Sequence, residues 1–185
     1  MPIPARDVAA ILRARLPGLG AKKLHKLLYY CQGHHLAAFD EPLFSEAISA
    51  WDMGPVVAEL WRDEKYGTAR PPGRVDAGGE AELNTIGYVL SRYGALTGHD
   101  LEILSHGELP WYTANQGRRP GDSAPITVQS MREYFATAGA PATAEDEPVL
   151  DSAAVAGWLA GAAERRGPGR PDDLNELHAR LGQSG

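Results

Sequence analysis

Lys22-Lys23-Leu24-His25-Lys26-Leu27-Leu28-Tyr29-Tyr30-Cys31-Gln32-Gly33, followed by Ala50-Trp51-Asp52-Met53-Gly54-Pro55-Val56-Val57, decides how this chain folds. Leu24, Leu27, Leu28, Cys31, His35 and Ala38 recur at three- and four-residue intervals, which predicts a helix over 21 to 38. Tyr29, Tyr30 and Gly33 are read as positions on the surface of that helix. From Leu43 to Trp51 the period is lost: Phe44, Glu46, Ile48 and Ala50 alternate with Ser45, Ala47 and Ser49, as in a short strand or extended segment. Gly54-Pro55 is then expected to open a third helix, because proline at the first helical position gives up an N–H that has no partner there. Val57, Leu60, Trp61 and Tyr66 would face inward on it, and Gly67 would end it. Generic core filling does not account for Trp, Gly, Pro and Gln-Gly at such close spacing.

Outward from this stretch the pattern stays helical. Val8, Ile11, Leu12 and Leu16 predict a first helix stopped by Pro17-Gly18, and Leu83, Ile86, Leu90 and Tyr93 predict another ending at Gly94. Residues 68 to 79 are turn-rich and predict a surface loop, one arm of a small hairpin. Thr97 and Asp100 form a capping-box pattern for a short helix that carries Leu101 and Leu104 and stops at Gly107. Pro110-Trp111-Tyr112 is expected to be a turn, and Thr127 to cap a helix with Val128, Met131, Tyr134 and Phe135. After residue 138 the composition becomes alanine-rich and acidic. The expected organisation is a main domain over 1–138, an acidic linker over 139–150 and a helical tail over 151–185. The fold class is therefore mostly α: a compact helical domain with a small β-hairpin or short-strand element, plus a C-terminal helical extension.

The 185 residues are 43% hydrophobic and 23% charged, ordinary values for a globular protein. A formal charge of −6 argues against direct nucleic-acid binding, which calls for a basic domain or stripe. The single cysteine, Cys31, cannot form an internal disulfide, so a reducing cytoplasm is the simplest compartment. No cationic start leads into an apolar run, and no window approaches 18 apolar residues, so neither a signal peptide nor a membrane span is expected.

Chemistry-bearing residues do not converge. Cys31 and His35 are four apart on one helix face, but both fill the stripe begun by Leu24 and Leu27. His34 and His35 point about 100° apart and do not meet on a metal. His99 and His106, with Asp100 nearby, lack any of the usual ligand spacings. No phosphate loop and no nucleophile elbow occurs. Glu59 and Asp63 read as a solvated face rather than an acid–base pair with Glu46 or Asp52. No metal, no cofactor and no catalytic residue is expected.

The lysines carry more information. Lys22, Lys23 and Lys26 crowd a helix start, where the macrodipole disfavours cations. Lys22 and Lys26 form one ridge. They answer to an acidic group within the fold, to an acidic partner surface, or to nucleic acid. Trp51 and Trp111 read as core, with a binding role as the alternative.

These residues resemble the Panacea domain, also called SocA-like or phage-associated GepA-like. The resemblance rests on Lys23 to Gly33, Glu46, Ala50-Trp51, Gly54-Pro55-Val56-Val57, Tyr66-Gly67, Leu104-Ser105-His106, Pro110-Trp111 and Tyr134-Phe135, and it spans residues 3 to 137. It implies a non-catalytic antitoxin of bacteria and phages that neutralises, by direct contact, a toxin protein encoded by a neighbouring gene. Small alarmone synthetase-like enzymes are among the toxin classes implied. It also implies a mostly helical fold with a small β element. Lys22, Lys23, Lys26, Tyr29, Trp51, Gly54, Pro55, Tyr66, Trp111 and Tyr112 are the expected partner-binding set, and self-association is compatible with it. Two alternatives stay open: an adaptor that delivers a toxin to an ATP-dependent protease, and a small hydrolase using His106 with a carboxylate.

Overall fold

The structure, a computed structural model, describes residues 1–67 and 71–138. The linker expected over 139–150, the tail over 151–185 and residues 68–70 of the expected loop lie outside the described residues. Among the described residues, seven helices and three short strands follow in the order α1 (Ala5–Arg15), α2 (Ala21–Phe39), β1 (Ile48–Trp51), β2 (Gly54–Val57), α3 (Ala58–Tyr66), α4 (Glu80–Tyr93), α5 (Gly98–His106), α6 (Leu109–Asn115), β3 (Ala124–Ile126) and α7 (Val128–Ala138). The mostly helical class with a small strand element is what the sequence predicts.

The 19-residue α2 is the hub. It touches α1, α4, α5, α7 and β2, and it is buried on nearly all sides from Leu24 to Leu36. A helix apolar around most of its circumference belongs inside. Tyr29, Tyr30 and Gly33, expected on the surface, are therefore interior. Tyr30 stacks on Tyr93 of α4 with ring centroids 4.0 Å apart. Gly33 lets α7 come close: a Cβ there would stand 2.3 Å from the Phe135 ring.

Two buried polar devices lock α2 to its surroundings. The Gln32 amide accepts from the backbone N–H groups of Leu43 (2.9 Å) and Phe44 (3.1 Å) and donates to the Phe44 carbonyl (3.0 Å). It thereby satisfies a buried loop backbone that no helix or strand could serve. The Glu108 carboxylate accepts from Tyr29 (2.8 Å) and Tyr30 (3.0 Å). Burial pushes Glu108 up to about 7, although the two hydroxyls pull the other way. Glu46 accepts from the Ala5 N–H at 2.9 Å, placing a carboxylate on the positive end of α1.

Gly54-Pro55 does not open a helix. Gly54–Val57 is strand β2, antiparallel to β1 with Ala50 opposite Pro55 and Trp51 opposite Gly54, and α3 starts only at Ala58. The sheet order is β2-β1-β3, so the proline sits on an edge strand, where a missing N–H breaks no interior ladder. Tyr66 is 68% exposed rather than inward. The expected turn at Pro110 is the first turn of α6, where proline fits equally well. The capping box of α5 is formed: Asp100 N–H donates to Thr97 Oγ1 at 3.1 Å, and Thr97 N–H donates back to Asp100 at 2.8 Å.

Candidate functional site

The β1–β2 hairpin lies across the first turns of α2, and two side chains of α2 hold it there. The Val57 N–H donates to His25 Nδ1 at 3.3 Å, and Lys26 Nζ donates to the Pro55 carbonyl at 3.2 Å. Both side chains are almost wholly buried, at 2% and 1% exposure. The hairpin can approach this closely because residue 54 is glycine. Its φ is +99°, and a Cβ would stand 2.6 Å from Lys26 Cε and 3.1 Å from Ser105 Oγ. Lys26 and Gly54 thus form one unit, 28 residues apart in sequence.

Beside this unit opens a cleft of about 410 Å³. Its floor is Lys22, His25 and Lys26; its walls are Trp51, Met53, Val56 and Trp61; Ala21, Asp52, Gly121 and Asp122 complete the rim. Trp51 and Trp61 meet edge to face at 4.9 Å, and the Lys65 ammonium sits 4.4 Å over the Trp61 ring. The far rim is tied to the hairpin turn. Asp52 pairs with Arg118 at 2.6 Å and accepts from the Gly121 N–H at 2.8 Å, which holds its carboxyl below the usual range. Trp51 donates to Ser123 Oγ at 3.0 Å.

The floor is rich in donors. Because His25 Nδ1 accepts a backbone N–H, the ring proton resides on Nε2, which is buried and has no hydrogen-bond partner among the described residues. Burial pulls His25 down to about 4, so the ring is neutral at pH 7. Burial also pulls Lys26 down to about 8, with the Glu102 carboxylate opposing. Glu102 itself is engaged by Lys22, in an ion pair that links α2 to α5.

The ten residues singled out in the sequence divide. Lys22, Lys26 and Trp51 line the cleft, while Gly54 and Pro55 support its floor from behind. Lys23 donates to the Gly94 carbonyl at the end of α4, so the lysine ridge serves the fold as well as the surface. Tyr29 is interior on Glu108. Trp111 is buried, donates to the Trp51 carbonyl at 3.1 Å and stacks on His106 at 3.8 Å. Tyr66 and Tyr112 are exposed, Tyr112 in a run of exposed apolar side chains with Ile103, Leu104 and Leu109. Sequence reasoning missed His25, Met53, Trp61 and the Gly121-Asp122 rim as parts of the site. His25 carried a signal, since it shares a helix face with Lys22 three residues before it. The rim at 121–122 carried none.

The geometry defines a helical module with an open, aromatic-walled cleft and a buried donor floor. Residues 24–112 match the family described as antitoxin SocA-like, Panacea domain. The match runs from within α2 to within α6, a little under half of the chain, and this similarity supports an antitoxin role in a toxin–antitoxin system in general terms. The match is narrower than the resemblance read over 3–137, for α1, β3 and α7 lie outside it. No curated protein and no solved structure matches the chain. Among the described residues no helix is long and apolar enough to cross a membrane.

Proposed function

We propose that this protein is an antitoxin that binds its cognate toxin directly and blocks it without chemistry of its own. The observation that carries the reading is that seven of the eleven residues lining the cleft, His25, Lys26, Trp51, Asp52, Met53, Val56 and Trp61, fall within the family match, while Ala21, Lys22, Gly121 and Asp122 lie outside it. Half-buried tryptophans beside exposed Met53 and Tyr66 are the residue types that anchor protein interfaces. The second exposed apolar stretch, Ile103, Leu104, Leu109 and Tyr112 on α5 and α6, extends the available surface. The toxin is the product of a neighbouring gene, met in the cytoplasm, where a buried free thiol such as Cys31 stays reduced.

Co-expression with the neighbouring gene tests this. Relief of growth arrest and co-elution of the two chains on a sizing column are expected. Continued arrest with no complex contradicts the reading for that pair.

A further inference from the structure

We propose that the cleft under Trp51 and Trp61 receives one acidic side chain of the toxin, its carboxylate on His25 Nε2 and Lys26 and its apolar stem against the two indoles. The inference rests on the antitoxin reading and names the chemistry of the contact.

Three observations select a carboxylate. First, the floor offers donors that the fold leaves underused. His25 Nε2 carries a proton, is buried and has no partner among the described residues, which is a standing cost that an arriving acceptor removes. Second, Lys26 is a buried ammonium that donates to the neutral Pro55 carbonyl, while the Glu102 carboxylate that acts on it is held by Lys22. A charge so placed gains from an anion brought in with it. Third, the rim carries two carboxylates, Asp122 and Asp52, the latter already paired with Arg118. A polyphosphate or nucleic-acid strand would meet these carboxylates, whereas a single acid on an otherwise uncharged segment passes between them. A volume of about 410 Å³ accommodates one acidic side chain with an apolar neighbour and excludes a folded element.

The experiment uses the full chain and the toxin encoded beside it. Affinity is measured for the unaltered protein and for His25→Phe, Lys26→Met and Ala21→Trp, with the melting temperature of each. Ala21 is exposed at the cleft mouth, so its replacement fills the opening without entering the core. Each variant is expected to bind roughly thirtyfold more weakly or worse, the scale for losing one side of a buried charged contact, and Ala21→Trp is expected to melt as the parent does. Amide replacement of each toxin Asp and Glu in turn is expected to find one position with the same loss, which adds nothing further in the Lys26→Met background. Parent-like binding by Ala21→Trp, or full additivity at every acidic position, overturns the inference while leaving the antitoxin reading intact. Absence of any complex with the unaltered chain overturns both. Binding of 3-phenylpropionate in the cleft without competition against the toxin assigns the site to a free carboxylate and also overturns it.

Discussion

The two halves of α2 handle buried polar groups in opposite ways. Toward its C-terminal half, Gln32 spends its amide on the Leu43-Phe44 backbone, and Tyr29 and Tyr30 both donate to Glu108. Toward its N-terminal half, among the described residues, His25 Nε2 lacks a partner and the buried Lys26 donates to the Pro55 carbonyl. Both halves are equally interior, so burial does not separate them; satisfaction does. A closed network builds the fold, and an open one beside a cleft is available to something outside it. The difference divides one sequence motif into residues whose polar groups are satisfied within the domain and residues that, on the proposed reading, meet a partner.

The largest effect is expected where the closed network is cut. Gln32→Leu strands two N–H groups and a carbonyl in the interior, and the loss of stability should reach about 3 kcal/mol or more by urea denaturation. A change below about 0.5 kcal/mol, the scale of an ordinary surface substitution, would show that the loop backbone finds other partners.

Glu108 comes next, and its signature is in pH. A carboxyl with a raised folded pKa stays protonated in the folded chain where the unfolded chain is already ionised. Its contribution is full below 4.5 and is lost as pH rises through about 7, on the order of 3 kcal/mol over that span. His25 and His34, both lowered to about 4 by burial, act in the opposite sense: their contribution is full above 6.5 and is lost as pH falls through about 4. The parent protein should therefore still gain stability between pH 5 and 7, because two lowered histidines outweigh one raised carboxyl. Glu108→Gln should gain clearly more over the same range, seen in urea midpoints at the two pH values. Parallel profiles would remove Glu108 from the account.

Gly54→Ala acts on the open, N-terminal side of the comparison, because Gly54 packs against Lys26. The substitution forces an alanine to positive φ and drives its Cβ onto Lys26, a cost of about 2 kcal/mol. Thermal melting should report that loss, and toxin binding should weaken with it because the cleft floor moves. An unchanged melting temperature would mean that the hairpin tolerates a different turn.

Much of the architecture was legible because helices announce themselves by period. The hub helix, the α5 capping box and the strand at Ile48–Trp51 all follow from spacing. Proline misled twice. The same loss of an N–H suits a helix start, an edge strand and a turn, so Pro55 and Pro110 could be placed only once their neighbours were known. Strand β3 has three residues, one of them Pro125, and leaves no alternating pattern. The motif residues could be recognised as special, yet not sorted. Tyr29 and Lys26 look alike as polar side chains on a helix, and only the position of Glu108 and the hairpin shows that Tyr29 faces the interior network and Lys26 the cleft. The cleft rim at Gly121 and Asp122 arrives by tertiary folding through Asp52, with no local trace.

The sharpest single test is Lys26→Met, with thermal melting and calorimetric titration by the toxin performed on the same preparation. Replacing a buried, poorly paired charge by an apolar side chain of similar length should leave stability within about 1 kcal/mol of the parent. The account predicts that outcome together with collapse of toxin affinity. Retained affinity, or a loss of stability as large as that of Gln32→Leu, would contradict it.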